Sequence, residues 1–299
     1  MTHIKNLQEL MIRFSDETVC RNYLEDMRWN GQPVCPHCGH SSPYRLKDGR
    51  TFRCKSEACR KDFSVTVGAV FENSKIPLSK WLIAIYICTN HKKGVSSCQL
   101  ARDLSVTQKS AWFMLHRIRE MVKPKTAQAL KEIVEIDTTW IGGKVKNMSK
   151  SKRKKIAESG NDPQKIPVFG MVQRQGDSIM TVVPDEKNDT LKPIITRIVG
   201  KDTILVSDAA TVFNGLENDF KGHIIINHSE NEYAVGEYST NTIEGFFSIL
   251  KRTIYGTYHN VSPKHLQTYC VEVSHRYNTR KIKDGERFEL NMRGTIYLV

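Results

Sequence analysis

No apolar run in this chain is long enough to cross a bilayer. The best, Trp81 to Cys88, falls far short of the roughly 20 residues a spanning helix needs. There is no lipidation motif and no basic amphipathic anchor, which argues against a membrane partner. The first residues, Met1-Thr2-His3-Ile4-Lys5-Asn6, lack the apolar stretch of a signal peptide, so an intracellular, cytoplasmic protein is expected. No internal repeat is found. Acids are also scarce relative to bases. Thirty-two Asp and Glu stand against 45 Lys and Arg, a formal charge of +13. That excess favours a polyanionic partner, because bound phosphates release counterions.

What is present points to several domains. A chain of 299 residues with 39% hydrophobic content supports ordinary cores in two or three of them. Leu7, Leu10, Met11 and Phe14 recur at helical spacing, as do Cys20, Tyr23 and Leu24, so residues 1–30 read as a helical segment. Residues 31–75 are turn-rich and cysteine-bearing, with strand-like Tyr44-Arg45-Leu46 and Thr51-Phe52-Arg53-Cys54. Residues 76–128 are helical again. From 129 to 285 strands and helices alternate, which argues for an α/β domain, and 286–299 read as a C-terminal tail.

Four of the eight cysteines fall together, Cys35-x2-Cys38 and Cys54-x4-Cys59, separated by a hairpin's length. Two such pairs bring four thiolates into tetrahedral reach of one Zn²⁺, with Gly39 relieving a tight turn. The spacing predicts a structural zinc ribbon rather than unpaired thiols, with His37 and His40 outside the shell. A closed four-sulfur shell folds the module and leaves no open position for catalysis. Cys20, Cys88, Cys98 and Cys270 are scattered, and those in apolar or helical contexts read as small buried hydrophobes. Arg45, Lys47, Arg50, Arg53, Lys55, Arg60 and Lys61 decorate the ribbon, either as a solvated face or as a nucleic-acid contact.

The segment from Ser96 to Arg119 has the pattern of a helix-turn-helix. Leu100, Ala101 and Leu104 give the first helix an apolar face, and Leu104-Ser105-Val106 makes the turn. Thr107 caps a second helix whose early residues Gln108 and Lys109 could reach base edges. A plain helical hairpin is the alternative. In either case Trp112, Phe113, Leu115 and Ile118 are expected in the core.

Three acids stand at ends or starts of regular elements. Asp137 closes the apolar, β-branched run Glu132-Ile133-Val134-Glu135-Ile136-Asp137. Asp208 closes Thr203-Ile204-Leu205-Val206-Ser207-Asp208. Glu244 opens a helix, Thr240-Asn241-Thr242-Ile243-Glu244-Gly245-Phe246-Phe247, with Lys251 seven residues on and on the same face. Strands are expected at about 131–140, 167–174, 178–183, 203–207 and 222–228, with helices at about 189–199 and from about 241 and 262. This is the order of a ribonuclease-H-like fold, in which the first and fourth strands lie side by side. Converging carboxylates suit hard divalent cations, and a metal pair roughly 3.5–4 Å apart suits in-line phosphodiester displacement. Each acid alone is weak: an Asp after a strand is more often a turn or cap residue. Thr240 or Asn241 followed by Glu244 also reads as a capping box. Lys251 alone would be a solvated lysine. The joint spacing raises all of them.

At this point the chain resembles a DDE transposase of the IS1595 insertion-sequence group, with its ISXO2-like catalytic domain. The resemblance rests on Glu135-Ile136-Asp137, Trp140-Ile141-Gly142-Gly143-Lys144, Val206-Ser207-Asp208-Ala209 and the long block Asn241 to Arg252. It continues through Tyr255-Gly256-Thr257-Tyr258-His259, Lys264-His265-Leu266-Gln267 and Arg276-Tyr277-Asn278-Thr279-Arg280. The zinc ribbon at 35–59 is similar to the group's N-terminal module. The resemblance implies cutting and joining of double-stranded DNA at transposon ends, with water and then a 3′-hydroxyl as nucleophile and two Mg²⁺ or Mn²⁺ ions. It further implies terminal inverted repeats and target DNA as partners, and a homodimer or higher multimer on DNA. In this group the third ligand position is often Asn, so Asn241 rivals Glu244. Charge favours Glu244, since a third carboxylate better balances two divalent cations. Many relatives carry an acid where this chain has Thr138.

Two basic tracts lie near the three acids in sequence. Lys144, Lys146, Lys150, Lys152, Arg153, Lys154 and Lys155 run with no acid until Glu158, and a flexible loop touching DNA is expected there. Lys251, Arg252, Tyr255, Tyr258, His259 and Lys264 interleave cations with aromatics, which suits phosphate contact plus base stacking. Phe246, Phe247, Leu250 and Ile254 read as core. Two other functions compete with a transposase: a zinc-ribbon and helix-turn-helix DNA-binding protein with an inactive ribonuclease-H-like scaffold, and a ribonuclease or junction nuclease on that fold.

Overall fold

The structure, a computed structural model, describes residues 4–124, 129–143, 149–159, 165–227 and 234–295. The chain forms two compact units, one of residues 1–123 with 279–299 and one of residues 124–278. No helix among the described residues is long and apolar enough to cross a membrane.

The first unit opens with helices α1 (Leu7–Arg13) and α2 (Glu17–Trp29). Each starts where a side chain takes up free backbone N–H groups: Asn6 accepts from Glu9, and Asp16 accepts from Thr18 and Val19. Asp16 is held below the usual carboxylate range chiefly by the backbone hydrogen bonds from Val19 and Thr18. A small antiparallel sheet follows, β1 (Tyr44–Arg45), β2 (Phe52–Arg53) and β3 (Asp62–Phe63). Helices α3 (Leu78–Asn90), α4 (Ser97–Leu104) and α5 (Gln108–Met121) complete the N-terminal part. Ser105, in the left-handed region with φ 48°, ends α4, and Thr107 caps α5 by accepting from Ser110 N–H. The buried stripe of α5 is Ala111, Met114, Leu115 and Ile118, at i, i+3, i+4 and i+7. Leu115 and Ile118 are core as expected, but Trp112 and Phe113 are exposed, 40% and 36%. Their positions fall beside the stripe, a step of about 100° per residue away from it.

The expected tail is helical over most of its described residues, and 296–299 lie outside them. Asp284–Gly294 form a further helix that packs on α3 within the first unit. Phe288 and Met292, one turn apart, are fully buried. Arg287 is buried too, donating to the carbonyls of Thr279 and Ile282 and to Asn90 Oδ1. A β-carbon on Gly285 would sit 1.6 Å from the Ile4 carbonyl oxygen, so only glycine allows that approach.

The second unit holds a five-stranded mixed sheet: β4 (Ile133–Ile141), β5 (Ile166–Gln173), β6 (Ser178–Val182), β7 (Ile204–Asp208) and β8 (Gly222–Ile226). The spatial order is β6-β5-β4-β7-β8. The β4–β5 and β5–β6 pairs are antiparallel, while β4–β7 and β7–β8 are parallel. Helices α6 (Lys150–Ser159), α7 (Asn188–Ile198), α8 (Asn241–Thr253) and α9 (Pro263–Asn278) fill the connections. The C-terminal helix of the first unit, Asp284–Gly294, is α10.

Two cores lie on opposite faces of the sheet, as strand alternation dictates. Val134, Ile136, Phe169, Met171 and Leu205 meet Leu191, Ile195 and Ile198 of α7. Ile141, Val168, Val172 and Met180 meet Ile243, Phe246, Phe247 and Leu250 of α8 and Leu266, Cys270 and Val273 of α9. Phe246, Phe247, Leu250 and Ile254 are core, as their spacing predicts.

Candidate active site and zinc site

The α8 side of the sheet carries the acids. Asp137 is partly exposed and sits in the middle of β4, because the strand runs on to Ile141 rather than ending at the acid. Across the β4–β5 pair its partner is Gly170. A β-carbon there would lie 2.7 Å from Phe247 Cε1 and 3.1 Å from Ile243 Cδ1, so the glycine lets α8 settle on the sheet beside Asp137. Asp208 ends β7, the strand parallel to β4. Val206 pairs with Glu135, which puts Asp208, two residues on, on the same face as Asp137. Thr138 N–H donates to Asp137 Oδ1 at 2.6 Å, and Ala210 N–H donates to Asp208 Oδ1 at 3.2 Å.

Burial pushes the Asp137 carboxyl up to about 7, against the Thr138 hydrogen bond, and the nearby charges of Asp208, Glu244 and Glu186 push the same way. The charges of Asp208 and Glu244 thus both bear on Asp137. Glu186 is a fourth acid that the sequence reading missed. It lies in the turn between β6 and α7, where burial and the Asp208 charge raise its carboxyl, opposed by a hydrogen bond from the Trp140 side chain. A hard cation would offset such mutual repulsion, and carboxylate oxygens are its preferred donors. The group is looser than a single-ion cage. Among the described residues, only the four cysteines below form a set whose ligand atoms all lie within 4.8 Å of one another.

Glu244 and Asn241 are exposed on the first turn of α8. Thr240 Oγ1 donates to Glu244 Oε1, and the Thr240 side chain caps no backbone N–H, so its half of a capping box is not formed. Those N–H groups go elsewhere. Glu135, fully buried on β4, accepts from Thr242 N–H at 2.8 Å, Ile243 N–H at 3.0 Å and Thr242 Oγ1 at 2.8 Å. Arg174, just past β5, donates to Glu135 at 3.0 Å and also to the carbonyls of Glu237 and Ser239.

Lys251 and Arg252 are exposed on α8, with Arg252 Nε donating to the Ser248 carbonyl. The helix continues as one π-helical turn, Ile254–Tyr258, ending at His259 with φ 60°. The Tyr255 hydroxyl is engaged by both backbone groups of Gly142, while its ring stays exposed, as does His259. The basic run after β4 is not simply a loop, since its second half is α6. Arg153 and Lys154 are exposed there, with Lys154 3.8 Å from Glu158. Lys144 and Lys146 lie outside the described residues, and so do the side chains of Lys152 and Lys155. In the other unit Gln108 and Lys109 are exposed at the start of α5, with Gln108 Nε2 donating to Ser97 Oγ.

The cysteine site is built by two turns. Cys35 and Cys38 flank one in which Gly39, φ 74°, donates to the Cys35 carbonyl. Cys54 and Cys59 flank another, in which Cys59 N–H donates to Ser56. The sulfurs of Cys35 and Cys59 are 3.9 Å apart and those of Cys38 and Cys54 3.5 Å. These match the edge of a ZnS₄ tetrahedron, about 3.8 Å for Zn–S of about 2.3 Å. His37 and His40 are exposed and outside the set. Phe52 stacks on Phe63 beneath the site, and Trp29 of α2 meets both edge-on. Of the other cysteines, Cys20, Cys88 and Cys270 are buried and Cys98 is exposed.

Comparison with known proteins gives the family and the zinc module. Residues 129–278 match the ISXO2-like transposase domain, half of the chain. The chain belongs to this transposase family. Residues 15–62 match the transposase zinc-ribbon domain, so with its four clustered thiols this module is a zinc ribbon holding structural Zn²⁺. A protein in transposable element ISH50 of Halobacterium salinarum is 26% identical over 270 residues, covering 86% of this chain and 89% of its own. A transposase-like protein of Haemophilus influenzae is 30% identical over 102 residues, 34% of this chain and 81% of its own.

Proposed function

We propose that this transposase cuts and joins double-stranded DNA at transposon ends, using Asp137, Asp208 and Glu244 of a ribonuclease-H-like domain. The observation that carries this is the pairing of β4 with β7, with Asp137 and Asp208 on one face and the Asp137 carboxyl raised by burial with help from Asp208 and Glu244. Two Mg²⁺ or Mn²⁺ ions, when bound, would activate the attacking oxygen and neutralise charge on the leaving one. Asp137 would give up its proton to serve as a ligand, Asp208 would approach from the neighbouring strand, and Glu244, with Asn241 as rival or co-ligand, would close the cage from α8. Lys251, two turns along the same helix, would hold a DNA phosphate near the site. Arg252, Tyr255 and His259 would extend that contact, with the basic residues Lys144, Lys146, Lys152, Arg153, Lys154 and Lys155 following the backbone. The zinc ribbon and the α4–α5 pair, read as a helix-turn-helix with Gln108 and Lys109 at its tip, would direct the chemistry to terminal repeats. A homodimer or larger assembly would bring two ends together.

The test is strand cleavage and joining by the full chain with Mg²⁺ and the DNA flanking its gene. Asp208→Asn should abolish both steps with its circular dichroism unchanged; full activity in that variant ends the metal-cage reading. Asn241→Ala compared with Glu244→Ala assigns the third ligand.

A further inference from the structure

Glu135 is the one acid on the α8 face of β4 that cannot meet solvent. It is fully buried, two residues before Asp137, and its carboxylate is spent on the first turn of α8. The first N–H groups of a helix lack intrahelical partners, and an anion placed on them is stabilised by charge-assisted bonds and by the helix dipole. Here the anion comes from the strand that carries Asp137, and the helix it binds carries Asn241 and Glu244. Arg174 balances the buried charge and ties down the segment entering α8 through the carbonyls of Glu237 and Ser239. From the other side, Gly170 leaves room for Ile243 and Phe247.

We propose that the Glu135–Arg174 pair is a positioning device for the metal site: it fixes the first turn of α8 at a set height over β4, and so sets the separation between Asp137 and the α8 ligand. This rests on the metal-site reading above. Glu135 is a positioning residue and touches neither metal nor DNA. A short exposed carboxylate cap would hold the helix as well for stability alone. A buried one that accepts from two N–H groups, a hydroxyl and a guanidinium also fixes direction.

The experiment uses the full chain, with Mn²⁺ binding followed by isothermal titration calorimetry without DNA, alongside Mg²⁺ titration of end cleavage. Glu135→Gln keeps the shape but turns an amide toward N–H donors. It should weaken Mn²⁺ binding about 10- to 100-fold, the usual range for groups that orient metal ligands. The Mg²⁺ needed for half-maximal cleavage should rise in parallel, and amide exchange at Thr242 and Ile243 should quicken. Thr242→Val removes only the hydroxyl contact and serves if Glu135→Gln does not fold; it should shift both readouts the same way by a smaller factor. Unchanged Mn²⁺ affinity in a folded Glu135→Gln or Thr242→Val protein overturns the proposal, and so does activity lost only in proportion to the folded fraction. Failure here is separable from failure of the reading beneath it. An inactive Asp208→Asn with a normal Glu135→Gln removes the positioning role alone, whereas an active Asp208→Asn removes the metal cage.

Discussion

Gly170 stands directly across the β4–β5 ladder from Asp137, and the space its missing side chain leaves is filled by Phe247 of α8. The closeness of helix to sheet at the acid-bearing strand therefore depends on one absent methyl. Gly170→Ala should force Phe247 and Ile243 outward and cost about 1–3 kcal/mol, the usual range for overpacking a core. Urea unfolding of the full chain measures the loss, and an unchanged midpoint would show that Phe247 can move aside freely.

Removing zinc should unfold the ribbon without touching the sheet. Its small core is Cys35, Phe52, Cys54 and Phe63, too little apolar surface to hold without the metal. Chelation should release one Zn²⁺ per chain and reduce the near-ultraviolet circular dichroism of the Trp29, Phe52 and Phe63 cluster. Cys54→Ser should purify with little zinc. Retention of full zinc in that variant would mean another residue completes the shell.

Arg287→Met should lower the stability of the first unit by about 1–3 kcal/mol, because the carbonyls of Thr279 and Ile282 and the Asn90 side chain lose buried donors. Hydrogen exchange should quicken in α3 and α10 and stay unchanged in β4, β5 and β7. Uniform quickening in both units would show that they unfold as one.

His223 gives a pH dependence. Its Nε2 lies 2.8 Å from Ser207 Oγ, and burial lowers its pKa below the ordinary 6.5, opposed by Glu217. The folded state then binds fewer protons than the unfolded one below that value. The contribution is intact above about pH 6.5 and is lost as pH falls through the lowered pKa. His223→Gln should flatten the fall in thermal midpoint between pH 7 and 5; an identical slope would place the titrating group elsewhere.

The regular elements were largely legible in the sequence, because alternation and 3.6-residue periodicity report burial directly. β5, β6, α7, β7 and α8 lie within a residue or two of their expected spans, and the adjacency of β4 and β7 follows from element order. The cysteine spacing was legible because four thiols around one ion leave few other arrangements. What escaped were features fixed only by tertiary approach. Glu135 looks like any acid in a strand until α8 lands on it. Glu186 belongs to a turn, where acids are common. Trp112 and Phe113 were expected in the core on hydrophobicity alone, although their phase on α5 sets them beside the buried stripe. The helix at 284–294 was hidden because its inward face includes a glycine and an arginine.

That last helix also fixes an order of events. The first unit leaves the chain at Lys123 and resumes at Thr279, so its packing on α3 waits for residues 284–294 to be synthesised. The sheet unit between them has every strand in hand before then. On the ribosome the zinc-bearing half, begun first, is therefore finished last, and a product cut short after the sheet would carry a ribbon whose supporting helices still lack their closing member.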